Sequence, residues 1–534
     1  MKFLFVHGWG GFSLAEWYFR AALRSSCPHD VRMHALDMPM HGIPGTDLLA
    51  RAVGVLSPGV VGFSCHSWTI HAFLEAASVV RHLCPEAYIV FGGPQVGSVQ
   101  AAARILDRSE AVDFVVRGPG EVALCRLLAW FAGAESLEEV PGLSYRGDEG
   151  LRHNEPAGGR GWTRGPIFES ANTELAERLD GVTEVSYETL RGCRRSCLYC
   201  LYPSPQGVSL LDEALVCREL EWLCAFELPH LRMADSHFGG SAPRAKRLLR
   251  HLARVNRRTS VKIYPDLEHL DDEYLGLLRD ARAEVTSIGV ETTNARSLAA
   301  IRRPGVDRHR EMVGALLGRF PGTPVDLIVG LPGDDPAGLE QTFRDVLDLG
   351  ASAVNLFRLQ IFPGTPLADD PPAHLGAGSI RSTSTGQVVS SPGFPPSCQA
   401  EVGRSIHALQ VAAPLVRARR LRARQRLGST LFDDLRGVDS DDLAEWAAAL
   451  QSRSPVRMLR RLERLAERVA AGEPEEDRAA WRDAVTLDVV DHLRRVCATA
   501  RRRGFRWMDD ERPRPVSRVV LRLSGGRRAV WDLP

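Results

Sequence analysis

The chain alternates short apolar runs with helical patterns in two long blocks, and this alternation constrains its fold more than any other feature. The blocks cover residues 1–146 and residues 184–367. Strands that alternate with helices form parallel sheets with crossover helices, so the pattern predicts an α/β fold for both blocks. Ligands of such sheets lie at the carboxyl ends of the strands, so the turns that follow the strands are the candidate ligand sites.

The first block contains five predicted strands, each followed by a turn rich in small residues. The predicted strands are Lys2–His7, Val31–Asp37, Val60–Ser64, Ala87–Phe91 and Val112–Arg117. The candidate ligand-binding residues of the turns are Gly8, Trp9, Gly10, Ser64, Ser67, Trp68, Gly92, Gly93, Pro94, Gly118, Gly120 and Glu121. No G-x-G-x-x-G opens a helix after the first strand, so the dinucleotide fingerprint is absent. Taken singly, each glycine is also explained as a turn former.

The second block contains six predicted strands, which predict a partial (β/α)6 barrel with its chemistry at the carboxyl ends of the strands. The predicted strands are Glu184–Leu190, His230–Ala234, Val261–Tyr264, Thr286–Glu291, Val325–Gly330 and Ala353–Gln360. Polar residues at their ends are the candidate catalytic and substrate-facing groups, namely Asp235, His237, Tyr264 and Arg358. Each acid at a strand end is alternatively a cap or a salt-bridge partner.

Three cysteines follow the first strand of the second block at C-x3-C-x2-C spacing, at Cys193, Cys197 and Cys200. Three thiolates on one short loop can ligate three irons of a cubane 4Fe-4S cluster and leave the fourth iron open. A zinc site would require a fourth ligand at short spacing, and the next cysteines, Cys217 and Cys224, lie in a helical pattern. The spacing alone is compatible with a 4Fe-4S cluster, with a zinc site and with a chance arrangement of cysteines.

The cysteine loop resembles the cluster-binding motif of radical S-adenosylmethionine (SAM) enzymes, including the aromatic Tyr199 before the last cysteine. The resemblance implies that the three cysteines hold a 4Fe-4S cluster whose open iron is chelated by the methionine end of SAM. It also implies that an electron from the cluster breaks the sulfonium bond of SAM and gives a 5′-deoxyadenosyl radical. By the same resemblance, Asp235, Glu291 and Gly330 lie near the methionine, ribose and adenine parts of SAM.

The first block resembles the cobalamin-binding domain that precedes many radical SAM enzymes. The strings that carry this resemblance are Val61–Ser64, Phe91–Pro94, Val112–Glu121 and Pro141–Arg146, and Phe362–Leu367 after the last barrel strand is a further hallmark. The resemblance implies that cobalamin is bound by the turns of the first block, with Ser67 or Trp68 near the lower cobalt face. The D-x-H-x-x-G motif is absent, because Asp37–Gly42 has the wrong spacing, so no histidine ligand to cobalt is expected.

The remaining segments carry weaker patterns. Residues 147–183 are predicted to be a linker with one short helix, residues 368–398 a loop or lid, and residues 399–534 a mostly helical domain. A net charge of +1 argues against a surface that binds polyanions, so no nucleic-acid partner is expected. The sequence has no apolar run of the roughly 18 residues that a membrane helix needs. Its 11 cysteines show no pairing pattern, which suits the cytoplasm.

Together these features predict a cobalamin-dependent radical SAM C-methyltransferase that acts on a natural-product or peptide intermediate. A radical cyclase or ring-rearranging enzyme, and a polar methyltransferase that never cleaves SAM to a radical, would use the same parts. A noncatalytic zinc scaffold is the alternative from a different class. The expected partners are a small-molecule or peptide substrate and an external electron donor such as flavodoxin or ferredoxin, and the expected state is a monomer.

Overall fold

The computed structural model describes two compact units. The first unit comprises Met1–Thr286, Leu298–Pro304 and Arg358–Pro392, and the second comprises Ser287–Ser297, Gly305–Phe357 and Gly393–Pro534. Within these bounds the structure describes residues 1–27, 30–38, 45–156, 165–202, 207–351, 353–369, 380–382, 386–398 and four short strands between residues 508 and 532. Among the described residues, no helix combines the length and the apolar character that are needed to span a bilayer.

Within residues 1–156 of the first unit, the described strands form one sheet in the order β2-β1-β3-β4-β5-β6-β7. The strands are β1 (Lys2–His7), β2 (Arg32–Asp37), β3 (Val60–Ser64), β4 (Tyr88–Gly92), β5 (Phe114–Val116), β6 (Leu143–Gly147) and β7 (Gly150–His153). The first five are parallel and correspond to the predicted strands, whereas β6 and β7 form an antiparallel hairpin at one edge. The hairpin lies partly in the predicted linker.

Helices cover both faces of this sheet, which explains why β1 is apolar along nearly its whole length. Phe3 and Phe5 face a core formed with α1 and α5, and Leu4 and Val6 face a second core formed with α2, α3 and α4. A parallel strand that is buried on both faces has a continuous apolar run rather than an alternating one. The α-helices among the described residues are α1 (Leu14–Ser26), α2 (Gly45–Leu56), α3 (Ile70–Leu83), α4 (Val99–Arg108), α5 (Gly120–Phe131), α6 (Thr173–Leu179), α7 (Glu213–Ala225), α8 (Ala242–Val255), α9 (Asp272–Asp280), α10 (Ala295–Ala300), α11 (Arg310–Arg319), α12 (Pro336–Asp348) and α13 (Pro366–Asp369).

The first unit also contains a parallel sheet in the order β13-β12-β11-β8, with α7, α8 and α9 between its strands. Its strands are β8 (Glu184–Tyr187), β11 (His230–Met233), β12 (Ser260–Ile263) and β13 (Ala283–Val285), and β9 (Leu190–Arg191) pairs antiparallel with β10 (Ser209–Leu210) beside them. The predicted linker packs against this sheet, because buried Glu219 of α7 accepts hydrogen bonds from Ile167 N, Phe168 N and the Tyr187 hydroxyl. Three-residue β13 was not predicted from the sequence.

The second unit contains a sheet in the order β14-β15-β16, formed by β14 (Ile288–Glu291), β15 (Pro324–Val329) and β16 (Ala353–Arg358). The six strands that were predicted for the second block are therefore all present, divided between the two units. The described part of the predicted loop or lid includes β17 (Arg381–Ser382) and β18 (Val388–Ser390), and Val388 N donates to Leu359 O. This segment therefore pairs with the chain that follows β16.

The C-terminal helical prediction falls mostly on residues 399–507, which lie outside the described residues. The described strands beyond them are β19 (Met508–Asp509), β20 (Arg512–Pro515), β21 (Arg518–Arg522) and β22 (Arg528–Asp532). They form two antiparallel pairs, β19 with β20 and β21 with β22. The prediction of a mostly helical domain over residues 399–534 stays a prediction, and these four strands lie in its last part, where a Gly-Gly turn signal stands between two apolar runs.

Candidate functional site

The order of strands in the N-terminal sheet reverses between β1 and β3, because β2 lies on one side of β1 and all later strands lie on the other. Ligands of open α/β sheets bind in the crevice at such a reversal. Trp9 follows β1, and Trp68 follows β3, so the two indole rings lie at this crevice with centroids 5.3 Å apart. Both side chains are about half exposed, at 51% and 53%. The crevice therefore presents an apolar aromatic surface to a ligand.

His66 completes this aromatic group and was missed in the sequence analysis. Its ring stacks on Trp68 with centroids 4.6 Å apart and lies 4.8 Å from Trp9. Burial lowers the pKa of His66 to about 4, so the imidazole is neutral near pH 7. The sequence feature that could have marked His66 as a site residue is its position in the predicted turn, two residues before Trp68. We name Trp9, His66 and Trp68 the aromatic triad.

Two glycines of the neighbouring turns leave open space beside the triad's edge of the sheet. Gly10 and Gly118 have φ values of +70° and +82°, and a Cβ atom at either position would meet no protein atom within 4 Å. The backbone conformation therefore requires glycine there while the space above remains free. Gly93 differs, because a Cβ there would lie 2.7 Å from Cys65 O, so this glycine lets the turns after β3 and β4 pack together.

The three motif cysteines lie on the loop that follows β9, and each sulfur accepts a hydrogen bond from an N–H donor. Arg195 N donates to Cys193 Sγ at 3.4 Å, and Tyr202 N donates to Cys200 Sγ at 3.4 Å. The Arg303 guanidinium donates to Cys197 Sγ at 3.7 Å. N–H donors to sulfur stabilise thiolates and the clusters that thiolates hold. Arg303 was not predicted as a site residue, because nothing in its local sequence marks it.

The donor set fits a 4Fe-4S cluster. Burial, together with the neighbouring Cys197 and Cys193, raises the pKa of Cys200 to about 11, so a metal must displace thiol protons on binding. Among the described residues, no three His, Cys, Asp or Glu side chains are grouped so that they could hold one metal ion. A cubane does not require that grouping, since each thiolate ligates a different iron.

Asp235 lies beneath the start of the cysteine loop, with its side chain buried. Its carboxylate accepts hydrogen bonds from Thr189 N at 2.6 Å, Thr189 Oγ1 at 2.7 Å, Leu190 N at 3.3 Å and Gly239 N at 3.2 Å. Burial raises the pKa of Asp235, and the hydrogen bonds from Thr189 and Gly239 and the charge of Arg244 oppose that shift. The structure therefore shows Asp235 supporting the loop, and its predicted contact to SAM stays a prediction.

His237 lies next to the first cysteine, and its side chain is buried. Its Nδ1 atom is 4.0 Å from Cys193 Sγ and 3.0 Å from Ser236 Oγ, while its Nε2 atom is buried and has no hydrogen-bond partner among the described residues. Tyr264 is half-buried after β12, and its carbonyl accepts from Phe238 N. Arg358 is half-buried at the end of β16. Their predicted roles toward substrate stay predictions.

Two predicted SAM contacts lie in the second unit. Glu291 ends β14 with a φ of +67°, an unusual conformation for a residue with a side chain, and Gly330 follows β15 with a φ of +90°. Strained backbone at a strand end is often found at functional sites. Tyr199, which was predicted from the motif, is half-buried in the first unit.

Arg191 connects the turn after β5 with the cysteine loop inside the first unit. Its guanidinium is 2.6 Å from Glu121 Oε1 in the first turn of α5 and 2.8 Å from Glu188 Oε1, and it lies 4.9 Å above the Tyr18 ring. Glu121 was predicted as a cofactor contact, and the structure shows its carboxylate paired with Arg191. Arg191 precedes Cys193 by two residues, so one side chain joins the edges of the two predicted cofactor sites.

The sequence matches two families. Residues 187–346 match the Radical SAM superfamily, and residues 11–128 match the B12 binding domain. The cobalamin-dependent radical SAM methyltransferase TokK from Streptomyces tokunonensis is 25% identical over 368 residues, which are 64% of this chain and 53% of TokK. The matched region thus spans about half the length of that relative.

Two solved structures share the fold. The cobalamin-dependent S-adenosylmethionine radical enzyme OxsB has a TM-score of 0.64 at 14% identity, with 95% of this chain and 82% of that chain covered. The radical S-adenosylmethionine methyltransferase TsrM from Kitasatospora setae has a TM-score of 0.59 at 20% identity, with 71% and 77% covered. The predicted α/β fold, with an N-terminal B12-binding domain and a radical SAM domain, is confirmed.

The chain is thus a protein in which a B12-binding domain precedes a radical SAM domain. It is similar to the cobalamin-dependent radical SAM methyltransferase TokK, and its two domain matches indicate a 4Fe-4S cluster, SAM and cobalamin as its cofactors.

Proposed function

We propose that the protein transfers a methyl group from SAM, by way of cobalamin, to a carbon atom of a natural-product or peptide intermediate. The observation that supports this most directly is the Arg191 contact to Glu121 at 2.6 Å. It joins the loop that carries the cysteines to the helix that begins at the cobalamin edge of the sheet. A reaction that uses both cofactors on one substrate carbon requires such fixed proximity.

When bound, the cluster and SAM supply a carbon radical, and cobalamin carries the methyl group. The protein's own residues prepare the sites for these groups. The aromatic triad offers a flat apolar surface, and the open spaces at Gly10 and Gly118 let a large ligand approach the backbone. Asp235 fixes Thr189 and Leu190, which hold the start of the cysteine loop in place.

The carboxylate of Asp266 supports the same loop from the other side. Burial would raise the pKa of Asp266, but Arg195, the Glu268 amide and Arg194 outweigh burial and lower it to about 2. Arg194 and Arg195 lie between Cys193 and Cys197, and both guanidinium groups contact Asp266 at 2.7 Å. Asp266 thereby holds both charged side chains of the motif.

Anaerobic reconstitution with iron, sulfide, cobalamin and SAM that carries a deuterated methyl group tests the proposal. Candidate substrates are metabolites of the neighbouring biosynthetic pathway, and mass spectrometry follows the product. A product heavier by one labelled methyl group, together with released 5′-deoxyadenosine, is expected. The matched control replaces Cys193, Cys197 and Cys200 with alanine and should yield neither product.

Other products would replace the proposal with an alternative. A labelled product without 5′-deoxyadenosine would indicate a polar methyltransferase, and an unlabelled rearranged product with 5′-deoxyadenosine would indicate a cyclase or ring-rearranging enzyme. Colourless protein that binds zinc and neither cofactor would indicate a scaffold. We further propose an external electron donor such as flavodoxin or ferredoxin, a monomeric state and a cytoplasmic location.

A further inference from the structure

The three sulfur atoms of the motif receive different kinds of hydrogen bond. Cys193 and Cys200 accept from the neutral backbone amides of Arg195 and Tyr202, and Cys193 Sγ also lies 4.0 Å from His237 Nδ1. The donor to Cys197 is the guanidinium of Arg303, at 3.7 Å from Sγ. A charged donor interacts with an anion about twice as strongly as a neutral donor does. The electrostatic environment therefore differs among the three sulfur atoms, and Cys197 is the one with a positively charged donor.

Backbone hydrogen bonds hold the segment that carries Arg303 beside the cysteine loop. Leu198 N donates to Ile301 O at 3.1 Å, which ties the cysteine loop directly to this segment. Arg303 N donates to Leu298 O at 3.0 Å, and Ile301 is fully buried. Arg302 has a φ of +56°, and this left-handed turn changes the chain direction just before Arg303.

Cys197 is the most buried of the three cysteines, with a relative exposure of 4%. Water screens charges weakly at a buried site, so a guanidinium there acts strongly on neighbouring charge.

We propose that Arg303 is a positioning residue that raises the reduction potential of the 4Fe-4S cluster through its hydrogen bond to Cys197. One-electron reduction adds a negative charge to a cluster that already carries three thiolates. A cation and an N–H···S hydrogen bond both stabilise the reduced state, and hydrogen bonds to sulfur are a recognised determinant of cluster potentials. The electron comes from the external donor, and no bond in the protein is broken.

The test is an EPR-monitored redox titration of cluster-loaded protein without SAM, cobalamin or substrate. Arg303→Met removes the charge and the donors, and Arg302→Met is the matched control, because it removes the same charge from the exposed neighbouring residue. In Arg303→Met we expect the ratio of reduced to oxidised cluster at a fixed ambient potential to fall about tenfold, which corresponds to about 59 mV. Arg303→Lys should lie between Arg303→Met and the wild type.

Three results would overturn the proposal. The first is an unchanged potential in Arg303→Met with normal iron and sulfide content, above all if SAM affinity falls instead. The second is an equal shift in Arg302→Met. The third is loss of the cluster in both Arg303→Met and Arg303→Lys, which would assign Arg303 to holding the loop. The inference rests on the proposed function only for the presence of the cluster, so a failed methylation assay leaves the titration interpretable.

Discussion

Replacing Arg191 with methionine should separate radical formation from methyl transfer. Arg191 and Glu121 are each about one-fifth exposed, with side-chain exposures of 23% and 21%. Removing one partner of a fully buried ion pair costs about 3–5 kcal/mol, and of an exposed pair about 0–1 kcal/mol. For this partly buried pair we expect a cost of about 2–3 kcal/mol. This cost lowers the ratio of conformations in which α5 contacts the cysteine loop to conformations in which that contact is broken by roughly 30- to 150-fold.

The assay compares two products in the same reaction. Arg191→Met should keep its iron, sulfide and cobalamin content, and it should still release 5′-deoxyadenosine, because the cysteines and the aromatic triad are intact. The ratio of methylated product to 5′-deoxyadenosine should fall severalfold or more. Arg191→Lys keeps one positive charge but loses the planar group that contacts both Glu121 and Glu188, so it should show a smaller decrease.

The matched control is Arg178→Met, which removes an arginine of α6 whose guanidinium lies 3.5 Å from Glu16 of α1 and is 59% exposed. Glu16 is buried, but it keeps its closer partner Arg20 at 2.9 Å, so loss of the exposed Arg178 should cost about 0–1 kcal/mol and leave the product ratio near that of the wild type. An unchanged ratio in Arg191→Met with normal cofactor content would refute the reasoning. Equal losses in Arg191→Met and Arg178→Met would refute it as well.

Two further predictions concern stability and cobalamin binding. Asp266→Asn should destabilise the first unit by about 2 kcal/mol, because the pKa of Asp266 is lowered from 3.8 to about 2. That contribution is complete above pH 4 and is lost as the pH falls toward 2, so the urea midpoints of variant and wild type should differ equally at pH 7 and pH 5 and converge below pH 4. Trp68→Ala should weaken cobalamin binding about 2- to 13-fold by loss of an aromatic contact of about 0.5–1.5 kcal/mol. Val55→Ala, at an 82% exposed position of α2, should leave that affinity unchanged in the same absorbance titration.

The predictable part of the structure depends on local patterns. The parallel strands of both blocks follow from apolar runs and turns, and the cysteine loop follows from its spacing. The hairpin β6–β7 and the three-residue β13 were missed, since short edge strands give too few residues for a periodic signal. The order β2-β1-β3, which creates the crevice at Trp9 and Trp68, depends on pairing between strands that are distant in sequence.

The site residues that the sequence did not predict also depend on contacts between segments that are distant in sequence. His66 joins Trp9 and Trp68 only once β1 and β3 are neighbours, and Arg303 reaches Cys197 across more than one hundred positions of sequence. Glu121 was predicted from a turn motif, but its partner Arg191 lies in another sheet of the first unit. Residue type and spacing indicate the cofactors, whereas the side chains that orient the loops are revealed by tertiary contacts.

In the proposed enzyme, the cobalamin edge of the N-terminal sheet and the cysteine loop are neighbours, joined through Arg191. EPR spectroscopy of protein loaded with both cob(II)alamin and the reduced cluster tests this proximity, because two nearby unpaired electrons broaden each other's signals and speed their relaxation. We expect the doubly loaded spectrum to differ from the sum of the two singly loaded spectra. A doubly loaded spectrum equal to that sum would contradict it.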